Sequence, residues 1–282
     1  MYLNLFTYWH RFCIPGYNQD MLKTSRLEAR LPIAGLGEPL HLFPSVGSTN
    51  DEAKRLAEQG SPHGTLVVAD EQSAGRGRLG RSWSTPARSA LAMSLVLRPA
   101  PMPAATSTLT VLGALAVTES LTKRGAQARI KWPNDVIVSE GKLAGVLVEA
   151  SWIGSEIVYG VLGIGVNVRP ESIPQSGLDY PASCVDQAVG YEVDRHELLF
   201  DILESLGSWY RAVGTTALVE AWERCLAFRH QQVRLQSTET AFDGRLEGLA
   251  PDGRLRLELE SGEIILVGTG DLSLRPIDSG LD

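Results

Sequence analysis

The feature that most constrains this chain is a change of hydrophobic period near residue 230. Downstream of it, Arg254-Leu255-Arg256-Leu257-Glu258-Leu259-Glu260 alternates strictly. That pattern sets an apolar face against a charged one and reads as a half-buried strand. Ser261-Gly262 turns the chain into Glu263–Val267, and Asp243-Gly244 and Asp252-Gly253 are further turn signals. Four or five short strands follow one another, which predicts a small all-β barrel over 231–282.

Upstream, helical and strand periods interleave. Ser48-Thr49-Asn50-Asp51-Glu52 opens a helix; Thr49 and Glu52 have capping-box spacing and Gly60 is the stop. Thr65–Ala69 and Ala90–Leu97 read as buried strands. Residues 104–124 place Leu109, Leu112, Leu115 and Leu121 at near-helical spacing, with Gly125 as the stop. Strands are predicted at Asp135–Ser139, Leu143–Ser151 and Glu156–Val168, with Glu140-Gly141 as a tight turn. Asp194–Val213, with Asp194 and Glu197 as its capping pair, and Thr216–Leu226 read as helices. The expected organisation is an irregular extension over 1–39, a mixed α/β domain over 40–230 and the β unit over 231–282.

A length of 282 residues fits two domains and a sizeable core. Net charge is −7, from 26 Lys+Arg and 33 Asp+Glu, which argues against coating nucleic acid. Cys13, Cys184 and Cys225 lie far apart with no CxxC pair, which fits a reducing, cytoplasmic setting without disulfides or zinc. No run of apolar residues is long enough to span a membrane. Six of the 19 aromatic residues fall in the first 20 positions: Tyr2, Phe6, Tyr8, Trp9, Phe12 and Tyr17. Polar residues interrupt this stretch and no small-residue cleavage site follows, so it reads as an extension rather than a signal peptide, with Met21 as an alternative start.

Gly75-Arg76-Gly77-Arg78-Leu79-Gly80-Arg81 is the most informative segment. It matches GxGxxG formally, yet Ser82, Ser84, Thr85 and Pro86 stand where a dinucleotide fold needs a helix. Glycines let backbone N–H groups approach a ligand, and arginines offer planar forks to carboxylate or phosphate. A solvated basic turn is the plainer reading of one Gly-Arg pair. Three arginines in six residues of an acidic chain favour a loop that orders around an anion. Trp83, taken alone, reads as core.

Further clusters support a site. Lys131-Trp132-Pro133-Asn134-Asp135 puts a cation, an amide and a carboxylate at a strand entrance. Gly141-Lys142-Leu143-Ala144-Gly145 places Lys142 at a turn, where an ordinary exposed lysine is the competing reading. Gly163-Ile164-Gly165-Val166-Asn167-Val168 has glycines inside a strand, which mark close approach of a ligand or backbone. Asn167 there is a buried amide needing a partner. No GxSxG elbow and no metal-spaced histidines occur; His196 reads as a surface residue.

Ser48-Thr49-Asn50, Gln72, Gly75–Arg81, Trp83, Lys131–Asp135, Lys142–Gly145 and Gly163–Asn167, in this order, closely resemble the biotin–protein ligases, over roughly residues 40–278. The resemblance implies an α+β fold, a mixed sheet flanked by helices as in class II synthetases and biotin/lipoate ligases, with a C-terminal SH3-like β-barrel. It implies that biotin and ATP, with Mg²⁺ brought by the nucleotide and no protein-only metal site, give biotinyl-5′-adenylate. The biotin would then pass to one lysine of the carboxyl carrier protein of acetyl-CoA carboxylase. Carried over by motif, Ser48, Thr49, Asn50 and Gln72 line the biotin head. Gly75, Arg76, Gly77, Gly145, Gly163 and Gly165 give close backbone approach, the amides around Arg76 and Gly77 holding the carboxylate. Arg78 and Arg81 face phosphates, and Trp83, Asn134, Asp135 and Asn167 lie on the nucleotide side. Lys142 sits at the acyl-phosphate junction; with Arg78 and Lys131 it forms the catalytic set. A homodimer through an exposed sheet edge is compatible with the family. Residues 1–39 lack paired amphipathic helices, so operator binding and a biotin-responsive repressor role are not expected. A lipoate or octanoate ligase of the same fold is the nearest alternative.

Overall fold

A computed structural model describes residues 21–98, 106–139, 141–175, 180–213, 215–237, 240–268 and 272–277. The aromatic-rich first 20 positions and Glu140 lie outside these. Seven strands form one sheet: β1 (Leu40–Phe43), β2 (Leu66–Ala69), β3 (Ala90–Leu97), β4 (Ala128–Lys131), β5 (Asp135–Val138), β6 (Gly141–Ile153) and β7 (Glu156–Asn167). Their order is β1-β2-β3-β7-β6-β5-β4; β1 and β2 are parallel and the other neighbours antiparallel.

The two-residue period of the strands sorts their side chains onto two faces. Leu66, Val68, Leu95, Leu97, Leu162 and Ile164 join the large core. Val67, Val96 and Val161, one position out of phase, join a smaller one. Helices α3 (Thr106–Lys123) and α5 (Arg195–Arg211) cover the first face with α6 (Thr216–Cys225), while α2 (Thr49–Glu58) packs on the second through Ala53, Leu56 and Ala57. Both faces of β2 and β3 are therefore buried, which is why they read as apolar runs, broken in β3 by Ser94.

The cap of α2 differs from expectation. Ser48, not Thr49, is the N-cap and makes no side-chain cap bond. Thr49 instead bonds Gln72, and the Glu52 carboxylate pairs with Arg55. The Asp194 cap of α5 holds, accepting from the backbone of His196 and Glu197, but Glu197 turns outward to Arg26 and Arg30. Arg26 lies in α1 (Thr24–Glu28), a helix that the Pro/Gly-rich sequence of the extension did not suggest, and Arg30 lies just past its end. A further short helix, α4 (Val185–Val189), ends at Gly190 with φ 81°.

The five remaining strands are β8 (Gln232–Gln236), β9 (Ala241–Leu249), β10 (Leu255–Glu258), β11 (Ile264–Val267) and β12 (Ser273–Pro276), in the antiparallel order β11-β10-β9-β8-β12. Leu255 and Leu257 are fully buried while Arg256 and Glu258 are not, as the alternation requires. Among the described residues β11 and β12 stand at the two ends of this sheet's strand order. Its apolar face joins the main core through Leu218 and Trp222 of α6.

Candidate active site

The site lies on the α2 face of the large sheet. Strand register puts Ala92, Gly165, Gly145 and Asp135 in one row across β3, β7, β6 and β5, and Ser94, Gly163 and Leu147 in a second row. The small residues of these rows, Ala92, Gly165, Gly145, Ser94 and Gly163, make a floor. A Cβ on Gly165 would fall 2.5 Å from Trp83 Cε2, and one on Gly163 would fall 2.1 Å from Asn50 Oδ1. The strand glycines thus admit two side chains, the Trp83 ring and the Asn50 amide, rather than a backbone. Gly75 is spoken for by its own loop: a Cβ there would lie 2.5 Å from the Trp83 carbonyl. It lines neither of the cavities described next.

A small cavity of about 40 Å³ is lined by Ser48, Thr49, Asn50, Gln72, Arg76, Gly77, Lys142, Gly145, Gly163 and Gly165. Its wall is a hydrogen-bond chain. Gln72 Oε1 accepts from Thr49 N at 2.8 Å and from Thr49 Oγ1 at 3.1 Å, and Gln72 Nε2 donates to Thr85 Oγ1 at 2.9 Å. Ser94 Oγ donates to Asn50 Oδ1 at 2.7 Å and lies 2.8 Å from Thr49 Oγ1. Asn50 Nδ2 donates to Glu149 Oε2 at 2.7 Å. With so many partners these polar groups hold fixed directions, which a buried amide needs.

A larger cavity of about 310 Å³ adjoins it and is lined by Arg78, Arg81, Trp83, Lys131, Asn134, Asp135 and Asn167. Gly77, Trp83, Asn134 and Lys142 line both spaces, so Lys142 stands where they meet. Its Nζ lies 2.7 Å from Asp135 Oδ1, and Lys131 Nζ lies 3.7 Å from Asp135 Oδ2. The register shift between Val136 and Ile137 re-aims the start of β6, which places Lys142. Burial pushes the Lys131 ammonium below the usual lysine range; Asp135 opposes this, and Lys142, Arg275 and Arg81 reinforce it. Lys142 Nζ is 5.4 Å from the Trp83 ring centroid and Lys131 Nζ is 4.5 Å from that of Tyr180. Asn134 Nδ2 donates to Val146 O at 2.9 Å while Arg78 Nη1 donates to Asn134 Oδ1 at 3.2 Å. Asn167 finds its partner in the Ser183 carbonyl at 3.1 Å.

The three arginines of the loop divide. Arg78 and Arg81 line the large cavity, whereas Arg76 pairs with Asp51 through both guanidinium nitrogens. The Gly77 N–H donates to the Arg81 carbonyl at 2.7 Å, so the loop closes on itself. Arg78 lines only the large cavity, not the small one. His196 is buried, not a surface residue, and its Nε2 accepts from Lys23 N at 2.9 Å. Several site residues carried no motif. Ser94 and Glu149 interrupt apolar strands, a signal available in the sequence. Tyr180 and Arg275 reach the large cavity from distant segments and gave none. Among the described residues no group of three or more His, Cys, Asp or Glu is placed to hold a metal ion.

The profile of the biotin/lipoate A/B protein ligase family matches residues 42–167, and that of the biotin protein ligase C-terminal domain matches residues 231–280. The bifunctional ligase/repressor BirA of Bacillus subtilis is 33% identical over 247 residues, 86% of this chain and 76% of that protein. The biotin–[acetyl-CoA-carboxylase] ligase of Paracoccus denitrificans is 33% identical over 235 residues, 80% of this chain and 96% of its own. A solved structure of the Aquifex aeolicus biotin protein ligase with biotin and ATP matches with a TM-score of 0.74 and 30% identity, covering 85% of this chain and 100% of that one. The profile match over the mixed sheet places the chain in the biotin/lipoate ligase class. Within that class, the chain belongs to the biotin protein ligase family.

Proposed function

We propose that this chain activates biotin with ATP to biotinyl-5′-adenylate and transfers the biotin to a lysine of the carboxyl carrier protein of acetyl-CoA carboxylase. The relatives' names and the biotin–ATP complex of the Aquifex enzyme support it. The observation that carries the reading is the junction: two cavities share Gly77, Trp83, Asn134 and Lys142. In the first half-reaction a biotin carboxylate oxygen bonds to the α-phosphorus of ATP, and pyrophosphate leaves with the electrons of the broken P–O bond. In the second, the carrier amine bonds to the acyl carbon, AMP leaves and the amine loses a proton. Two anions must meet in the first step, so positioning and charge neutralisation dominate its barrier.

Under this reading Ser48, Thr49, Asn50, Gln72 and the floor glycines Gly145, Gly163 and Gly165 hold the biotin head. Arg76 and Gly77 close over its carboxylate end. Lys142 neutralises the charge where carboxylate and α-phosphate meet, held there by Asp135. Arg78 and Arg81 face phosphates, and Trp83, Lys131, Asn134 and Asn167 hold the nucleotide side. The Asp135 carboxylate already faces two lysines, so it makes no protein-only metal site. Mg²⁺ carried by ATP would supply positive charge to the departing pyrophosphate, beside Arg78 and Arg81. The catalytic unit is residues 40–230, with 231–282 as a β unit that closes the nucleotide side. ATP–pyrophosphate exchange with biotin, lipoate and octanoate tests the reading. Exchange with biotin alone is expected; exchange driven by lipoate or octanoate overturns it.

A further inference from the structure

Arg76 is the one loop arginine whose fork points at helix α2 rather than toward the large cavity. Arg76 Nη1 donates to Asp51 Oδ2 at 2.5 Å, and Nη2 faces Asp51 Oδ1. Arg76 Nη2 also lies 3.7 Å from Glu149 Oε2. Lys54 lies 3.8 Å from Asp51 and bonds Glu149 as well, so the four charges balance. The guanidinium holds the Asp51 carboxyl below the usual carboxylate range. Asp51 sits in the first turn of α2, where a negative charge is favoured by the helix dipole.

This cluster is continuous with the small cavity. Asn50 and Arg76 both line that cavity, and Asn50 shares Glu149 with Arg76. The loop has two anchors beside the cavities, Arg76 on Asp51 and Arg78 on Asn134. Arg76 and Gly77 of the loop line the small cavity, so the Asp51–Arg76 contact sets how firmly this stretch of the loop is held against it.

We propose that Asp51 is a positioning residue for the ligase reaction, clamping the Gly/Arg loop through Arg76 and so governing retention of the acyl-adenylate. It rests on the functional reading above, and the test separates the two. Radiolabelled adenylate formed on the enzyme is followed as it is released into excess unlabelled biotin and ATP. Asp51→Asn speeds release about five-fold, the upper range for one half-exposed ion pair. It leaves kcat for pyrophosphate exchange at saturating biotin within about two-fold, because Asp51 lines neither cavity and touches no reacting atom. Asp51→Glu restores slow release. In a cycle with Arg76→Gln, the double variant releases no faster than Arg76→Gln alone. Release from Asp51→Asn at the wild-type rate, or independent multiplying effects in the cycle, overturns the proposal. Hydrogen exchange of the ligand-free protein reads the clamp with no substrate at all. Asp51→Asn raises exchange at the Gly77 amide, whose acceptor lies within the loop; unchanged exchange overturns the clamp. Wild-type protein that makes no adenylate overturns the functional reading instead.

Discussion

At the scale of single residues, the salient pair is Lys142 and Arg78, whose side chains stand in different relations to the reaction. Lys142 lies at the meeting of the cavities, so its charge is felt most when the carboxylate reaches the phosphate. Lys142→Ala is expected to lower kcat for exchange about 10²–10³-fold, as loss of a preorganised electrostatic partner does. Arg78 lines the large cavity only, so Arg78→Gly should loosen the finished adenylate. Losing a charge-assisted contact of about 1.5–3 kcal/mol speeds its release roughly 10- to 100-fold. A release assay and an exchange assay on both variants separate the roles; equal retention by Arg78→Gly and wild type would count against the phosphate role. Arg78 was visible in the sequence as one of three arginines in six residues of an acidic chain, whereas Lys142 read equally as an exposed turn lysine and took its role from the family resemblance. Ser94 and Glu149 were also visible in principle, as polar breaks in ALAMSLVL and LVEAS, yet their partners on α2 are not local. The partner of Arg76 was not legible for the same reason: nothing near it in the chain announces Asp51.

At the scale of elements, β7 is the decisive strand. Its periodicity and its glycines were legible, since two-residue alternation is a local property. What the glycines admit was not, because Trp83 and Asn50 arrive from other segments. Gly165→Ala puts a methyl group where Trp83 Cε2 now sits 2.5 Å away. The ring must shift, at a cost typical of overpacking, about 1–3 kcal/mol. The expected result is a raised KM for ATP with the circular-dichroism spectrum of wild type. An unchanged KM would mean that the ring position does not matter. Helix α1 shows the opposite limit of sequence reading. Its five residues have little propensity signal, and it is held by tertiary contacts, Arg26 to Asp194 at 2.6 Å and Arg30 to Glu197 at 2.7 Å.

At the scale of the whole molecule, the C-terminal sheet is a partner to the nucleotide side. Arg275 of β12 lines the large cavity, and its charge bears on Lys131. Arg275→Ala should raise KM for ATP about five-fold, a loss near 1 kcal/mol, while KM for biotin stays put. A parallel rise in both would place the effect on folding rather than on the nucleotide. The period change at 230 made this unit legible, but its approach to the catalytic face depends on a long-range contact that no local pattern encodes. The same scale governs pH. Burial lowers the pKa of His63 and His196 from 6.5. The unfolded chain then binds more protons below that pH, so stability is full above 6.5 and falls as pH drops through the folded values. Thermal melts should show Tm declining on acidification below pH 6.5, and the double variant His63→Gln/His196→Gln should flatten that decline. An unaltered slope in the double variant would assign it to carboxylates.

Trp83 lies on the wall between the two cavities, with the Lys142 ammonium 5.4 Å from its ring. That position makes the indole a built-in optical reporter. Filling the small space changes the polarity along one edge of the ring, and filling the large one changes what stacks on it. Emission intensity and wavelength should therefore respond separately to the two substrates, so the order of binding can be read in a stopped-flow instrument without any label.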